Sequence, residues 1–401
     1  MIPSINIKNL FKCFLIFGLI IIVITIILIF INKIVLNNDN NDKDNKDINN
    51  IIPNLPSNII ASKTYFKCPE KYHNPPTAEV LIENDIERTH DSSTCDLYIP
   101  CGYNQVELEM YIMPDIKNTA IIYGIVGCDK IVSKNNIWNI LEDTYGRNDA
   151  CNYMPRTYVI GNDIHLNELK NNWIEGNRFI LKKNVQRKRG LLITDSLEVI
   201  NNAHNDEFKI IQNYINDPLL INKRKLNIRI YIGIVYKSRK TRIYLYTEGK
   251  CIYTNMDYID GDNEFERNIT SVNLNSDIYN KNPLLLSDLQ SYLNNSEVER
   301  GDKLLEDIYI LMKSVCNPIK PLVCNNYPKI IDNTCYQLFG ADVIVTSSYK
   351  PLLLEFNKGP SMRTEIKRDH EMKKQVLEDT FKLAGVIESD DNSHLNRFRE
   401  L

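Results

Sequence analysis

The chain has 401 residues, enough for one large domain or two ordinary ones, and sets 48 Lys and Arg against 51 Asp and Glu. This near-cancellation removes global charge as an argument for nucleic-acid binding, and no nucleic-acid partner is expected. Ten cysteines without paired CxxC spacing exclude a disulfide scaffold, and Cys316, Cys324 and Cys335 fit no common zinc pattern, so they read as structural thiols. The bias toward Asn, Ile, Lys and Tyr is that of AT-rich coding, so isolated Lys and Asn residues carry little weight.

After a short segment at 1–12, Cys13 to Ile31 contains no charged residue. It is long enough to cross a bilayer core of ~30 Å as a helix. No small-residue cleavage site follows, so 13–36 is expected to be an uncleaved transmembrane anchor with the lipid bilayer as a partner. The expected localisation is a single-pass membrane protein. Lys8 and Lys12 before the span, against Lys33 after it, favour translocation of the C-terminal part, whereas a nucleotide-using domain belongs in the cytosol. The side of the membrane stays open. Residues 37–63, rich in Asn and Asp, read as a disordered tether.

The globular part begins near Thr64, and its first portion, 64–176, gives thin signals. Ala120 to Val126 reads as a buried strand, and Lys134 to Tyr145 as a helix with Ile137, Ile140 and Leu141 on its apolar stripe. His73, His90, His165 and His204 are scattered and read as packed or exposed residues. After Gly176 three hairpins appear. Asn177–Lys183 pairs with Arg189–Thr194, Asn227–Tyr236 with Thr241–Lys250, and the strand carrying Asp342 with the one ending in Glu355-Phe356-Asn357. Phe208 to Ile215 is a further apolar segment. Glu371 to Ala384 reads as a closing amphipathic helix stopped by Gly385. The fold class is α+β, a domain of antiparallel sheets and helices over 177–388 preceded by one transmembrane helix, with 389–401 as a flexible tail.

Glu355 and Asn357 are two residues apart and leave one face of their strand, beside Asp342 on the next strand. Two carboxylates and an amide oxygen suit Mg²⁺ holding a nucleotide triphosphate. Lys182 ends a strand beside the basic loop 184–190 and can clamp phosphates. Lys225, Asn227 and Arg229 share one side of theirs. A cationic row facing an acidic metal site is what phosphoryl transfer asks for, so ATP and Mg²⁺ are the expected cofactors.

The order of FILKKNVQRKRGLLIT, FKIIQNYINDPLLINKRKLNIRIYIGIV, IYLYTEGK and FGADVIVTSSYKPLLLEFNKGPS resembles the tubulin–tyrosine ligase family over roughly 177–361, and more faintly at Met154–Ile160. The resemblance implies an ATP-grasp fold and a ligase that joins a free amino acid to a protein carboxylate, with tubulin among the family's substrates. It places Lys182 on the nucleotide phosphates and Gly190 at the end of the phosphate-covering loop. Gln212, Asn213, Tyr214 and Ile215 fall on the hinge that lines the adenine. Lys225 and Arg229 match the ends of a Lys-Phe-Asp-x-Arg segment and Thr270 a threonine near the triphosphate, the three expected catalytic residues. Asp342, Glu355 and Asn357 match the magnesium trio.

The chain departs from that pattern at Lys183, Lys188, Asn227, Ile252 and Ser271. Ile252 stands where an arginine would reach the terminal phosphate, a charge for which Lys250 or the Arg187–Arg189 run would have to substitute. Asn227 replaces an aspartate. These departures keep an ATP-binding pseudoenzyme open as an alternative. A lumenal glycosyltransferase is the other, resting on the anchor and on Asp260-Gly261-Asp262. Asn268-Ile269-Thr270 and Asn294-Asn295-Ser296 are glycosylation acceptors if the domain is translocated.

Overall fold

The computed structural model describes residues 63–67, 75–100, 106–113, 115–184, 190–270, 274–323, 328–364, 366–388 and 392–401. Isoleucine, valine and tyrosine crowd the two longest strands, and their β-branched and aromatic side chains suit a pleated, fully covered surface. Numbered in chain order, these are β10 (Arg224–Lys237) and β11 (Lys240–Tyr253), which form an antiparallel hairpin. A two-residue turn joins them, with Ser238 and Arg239 both at positive φ. β12 (Thr334–Val345) lies antiparallel on the other edge of β10.

The far edge of β12 is shared. Its second half takes β13 (Pro351–Asn357) antiparallel, and its first residues take β4 (Ile121–Tyr123) in parallel. From β4 the sheet runs through β3 (Leu97–Ile99) and β1 (Lys63–Lys67) to β2 (Ile86–Thr89), all parallel. β9 (Leu220–Ile221) pairs with the start of β10. The antiparallel expectation therefore holds for the hairpins after Gly176, while the N-terminal portion adds a parallel half and makes the sheet mixed. The strand expected within Ala120–Val126 is β4, whereas β1, β2 and β3, of three to five residues, carry too few alternations to be read from pattern alone.

Alternation along β10 divides the core. Ile228, Ile230, Ile232 and Ile234 pack on one face with the helices α2 (Lys134–Tyr145), α3 (Leu286–Ser296) and α4 (Arg300–Ile319). Tyr231 and Val235 pack on the other with α1 (Pro75–Glu83) and α5 (Lys367–Ala384). The helix expected at 134–145 is α2, and α5 starts four residues before its expected position and ends at Gly385, φ 83°. Cys316 and Cys335 are buried free thiols, each raised to about 12 by burial.

A second, smaller sheet has the order β5 (Thr157–Val159), β8 (Ile210–Asn213), β6 (Phe179–Lys182), β7 (Leu191–Thr194), all antiparallel. Its own core includes Tyr158, Leu169, Phe179, Leu181, Phe208 and Ile211.

Two expectations are corrected. No helix among the described residues is long and apolar enough to cross a membrane. The transmembrane helix in the expected fold class, the membrane localisation and the bilayer partner all rested on 13–36, which lies outside the described residues together with the tether up to residue 62. At the other end, the expected flexible tail folds onto the sheet. Phe398–Glu400 is β14, paired antiparallel with β11 at its edge. Phe398 is 2% exposed and packs edge-on against Tyr244 and Tyr246. Arg397 forks onto the buried Asp379 carboxylate of α5 at 2.6 and 2.8 Å. A single phenylalanine in the last ten residues is too sparse a pattern to announce an edge strand.

Candidate functional site

Strand register assembles a row of four charges. Lys250 on β11 lies opposite Arg229 on β10, Arg229 opposite Asp342 on β12, and Asp342 opposite Glu355 on β13. Asn357, two residues on from Glu355, faces Gly340. Gly340 is there for room, since a Cβ would sit 2.9 Å from the Arg229 Cδ. Arg229 forks onto Asp342, Nε to Oδ1 at 2.5 Å and Nη2 to Oδ2 at 3.0 Å, and Asn357 Nδ2 donates to the same Oδ2 at 3.4 Å. Burial opposes charge on the guanidinium, but Asp342 outweighs it and raises the Arg229 pKa.

Lys134, the first residue of α2, reaches the same place, with Nζ 3.3 Å from Glu355 Oε2. It is the site residue the sequence reading missed. The helix was legible, but nothing in its local pattern says where its first side chain ends. Burial would raise the Glu355 pKa, yet Lys134, Lys182 and Arg229 together hold it below its ordinary value. Lys182 ends β6 in the small sheet and is 5% exposed. Desolvation lowers its pKa to about 8, against the pull of Glu355 and Asp342. Gly190, at φ 78°, closes the hairpin by accepting a hydrogen bond from Lys183 N at 2.9 Å. The loop residues 185–189, including Lys188 and the Arg187–Arg189 run, lie outside the described residues.

Lys225, the second residue of β10, packs against the hinge. Its ammonium stands 4.4 Å from the Tyr214 ring centroid and donates to the Tyr214 hydroxyl at 3.0 Å. Burial, then Lys182 and Arg178, lower its pKa to about 7. In the hinge, Gln212 is 1% exposed and its Nε2 donates to Thr157 Oγ1 at 2.8 Å. The side-chain oxygens of Gln212 and Asn213 are buried with no hydrogen-bond partner among the described residues. The backbone N–H groups of Asn213 and Tyr214 are committed to Arg156 O and Arg178 O, and Ile215 follows directly. Thr270 Oγ1 accepts from Asn227 Nδ2 at 3.1 Å, while Asn227 Oδ1 is another buried oxygen with no such partner.

The structure thus gathers Asp342, Glu355, Asn357, Arg229, Lys182 and Lys134, sets Lys225 against the hinge at Gln212–Ile215, and holds Thr270 to Asn227. It does not free Lys250 to replace the arginine missing at Ile252. Lys250 Nζ lies 2.5 Å from Oδ2 of the fully buried Asp369 on α5, which also takes Lys373 at 3.1 Å. Ile252 is 7% exposed, an apolar core residue opposite Asn227. Ser271 lies outside the described residues.

The acidic triplet at 260–262 is turn chemistry. Asp260 Oδ1 accepts from Arg178 at 3.2 Å, and Asp262 Oδ2 pairs with Arg267 at 2.9 Å. Asn268 is 1% exposed; its Nδ2 donates to Asp262 O and Glu264 O at 2.7 Å each, and its Oδ1 accepts from the Tyr214 hydroxyl at 2.6 Å. A glycan on Asn268 is incompatible with that packing. The cluster Glu107, Cys128 and Asp129 is likewise spoken for, since Glu107 accepts from the backbone N–H groups of Gly127 and Asp129.

Hard oxygen donors on adjacent strands, ringed by buried or half-buried cations, are what a protein that handles a polyphosphate with a divalent metal requires. The donor set fits Mg²⁺, and the surplus cations fit anionic phosphates. The chain belongs to the tubulin-tyrosine ligase family, whose model matches residues 118–394. It is 27% identical over 279 residues to a probable beta-tubulin polyglutamylase of Tetrahymena thermophila, covering 63% of this chain and 23% of that protein. Tubulin polyglutamylase TTLL6 of Mus musculus is 26% identical over 230 residues, 53% of this chain and 27% of that one. Probable tubulin polyglutamylase TTLL9 of Rattus norvegicus is 29% identical over 181 residues, 44% and 38%. The chain spans between 23% and 38% of the length of these three relatives.

Proposed function

We propose that the chain is an ATP- and Mg²⁺-dependent ligase that joins the amine of a free amino acid to a carboxylate on a protein. The observation that carries this reading is the convergence of Asp342, Glu355 and Asn357 with Arg229, Lys182 and Lys134. Mg-ATP, when bound, would supply the γ-phosphoryl group that turns the acceptor carboxylate into an acyl phosphate. The amine nitrogen would then bond to the acyl carbon, and phosphate would leave with the former carboxylate oxygen. Asp342, Glu355 and Asn357 would hold the metal, and Lys182, Lys134 and Arg229 the phosphate oxygens. Gln212 to Ile215 would take the adenine, Gly190 would end the phosphate-covering loop, and Lys225 and Thr270 would meet the nucleotide from β10 and from the segment after β11. Chemistry of this kind needs positioning and charge neutralisation rather than a nucleophilic side chain. That the relatives are described as tubulin polyglutamylases favours glutamate as the donor and tubulin as the acceptor.

A second reading, nucleotide binding without turnover, is favoured by the apolar Ile252 and by the commitment of Lys250 to Asp369. Mg-ATP should raise the thermal unfolding midpoint of the wild-type chain and leave Glu355→Gln unshifted. A wild-type chain that ATP stabilises equally with and without Mg²⁺ would sink the metal assignment, and one that Mg-ATP does not stabilise would sink the nucleotide reading. ATP consumption with tubulin and glutamate separates the ligase from the binder. Binding without consumption across a broad panel of amino acids and acceptor peptides would leave only the second reading.

A further inference from the structure

Arg178 stands at the foot of β6 and belongs to none of the motifs above. It is 5% exposed, an unusual place for a guanidinium, and four groups surround it. Nε donates to Asn216 Oδ1 at 2.9 Å, Nη1 to Asp262 O at 2.9 Å, and Nη2 to the Tyr258 hydroxyl at 3.1 Å and Asp260 Oδ1 at 3.2 Å. Its carbon Cζ lies 4.5 Å from the centroid of the Tyr214 ring. Lys225 also lies on that ring, at 4.4 Å. The hinge tyrosine therefore carries a fixed guanidinium and an ammonium, and its hydroxyl bridges Lys225 to Asn268, two residues before Thr270.

We propose that Arg178 is a positioning residue of the nucleotide site: by fixing the Tyr214 ring from outside, it sets where Lys225 and the Asn268–Thr270 segment stand. The proposal rests on the nucleotide reading above. Its physical basis is the planar fork. Anchored by Tyr258, Asp260 and Asp262 on the loop that follows β11 and by Asn216 just past the hinge, the guanidinium holds one place and so holds the ring beside it. Tyr214 in turn limits the ammonium of Lys225 to one location. Arg178 also acts on Lys225 through charge. The groups that face Lys225 are Lys182 and Arg178 from the β6 segment and Tyr214 from the hinge, and the two cations join burial in lowering its pKa. Geometry and charge make separable predictions, because lysine at 178 would keep the charge and lose the fork.

Mg-ATP is titrated calorimetrically into the full chain at about pH 6.5 and about pH 8.5, bracketing the Lys225 transition. Wild type should bind more weakly at the higher pH, where Lys225, and Lys182 beside it, must regain a proton to meet an anion. Arg178→Met should bind about tenfold more weakly at the lower pH, the scale of one desolvated cation–π contact, with a smaller difference between the two pH values. Arg178→Lys should be weakened to a similar degree yet keep the wild-type pH difference. Asp260→Asn should stay within about twofold, since that carboxylate is 80% exposed. Arg178→Met binding within twofold of wild type at both pH values overturns the proposal. So does Arg178→Lys restoring wild-type affinity, because charge alone would then suffice. If Arg178→Met does not fold, Tyr214→Phe carries the test. It keeps the ring but loses the bridge to Lys225 and Asn268, and undiminished affinity in it overturns the proposal. Absence of Mg-ATP binding by wild type is a different failure, that of the nucleotide reading itself.

Discussion

The large sheet and the hinge side of the site hold their charges by different physical means. In the large sheet, Arg229, Asp342 and Glu355 are cross-strand neighbours, and each charge has an opposite charge beside it. Ladder hydrogen bonds and a two-faced core fix them, so their position follows from register and their charge is secured by pairing. On the hinge side, Lys182 and Lys225 are buried with few counter-charges, and desolvation lowers both pKa values, to about 8 and about 7. Their charge is conditional on what arrives. A register-fixed acidic floor opposite lysines that become fully charged against an anion would give a site that is rigid toward metal and responsive toward phosphate.

The sharpest way to break this comparison is to remove a partner from the floor. Asp342→Ala leaves the Arg229 guanidinium without its forked carboxylate, and unfolding free energy should fall by about 3–5 kcal/mol in urea titration. A change under about 1 kcal/mol would mean that the pair is far better solvated than its 14% side-chain exposure indicates. Next in size is Leu181→Ala, which empties a fully buried position in the small-sheet core and should cost about 2–5 kcal/mol locally. Hydrogen exchange should accelerate in 179–182 and 210–213 while β10 and β12 keep their protection. Equal acceleration in both sheets would show a single cooperative unit.

The last effect is the most specific, because it shows only as a function of pH. For a lysine with a depressed pKa, the folded state binds fewer protons than the unfolded state between the two pKa values, so stability rises with pH in that window. Without nucleotide, the chain should therefore gain stability as pH climbs through about 7–8 toward the ordinary lysine range, and Lys225→Met should flatten the lower part of that rise. Denaturant midpoints across that range would reveal it, and an unchanged slope in Lys225→Met would remove Lys225 from the account.

The hairpin of β10 and β11 could be read from the chain because long strands rich in Ile, Val and Tyr carry their own periodicity, while the other two hairpins after Gly176 showed as apolar runs on either side of a polar turn. Asp342, Glu355 and Asn357 followed from those hairpins, since spacing within a strand and pairing between strands are local rules. Lys134 and Arg178 were beyond reach for one reason: each side chain acts on an element far away in sequence, and no local pattern records that encounter. Lys250 shows the converse. As a cation near the site it was a plausible substitute for a missing arginine, until α5 brought Asp369 to it at 2.5 Å. In the parallel half only β4 was legible, inside the apolar run Ala120–Val126, because β1, β2 and β3 are three to five residues long and present no period to read.

By itself, then, the sequence determined the hairpins, the faces of their strands and the carboxylates and cations that alternate along them, because these depend on backbone periodicity and short-range register. The tertiary structure decided which of those charges meet. It paired Lys134 with Glu355, diverted Lys250 to Asp369, stacked Arg178 on Tyr214, and folded Phe398 against the edge of the sheet. Such encounters depend on burial and on the distance between elements remote in sequence, and the strength of every charge in the site follows from them.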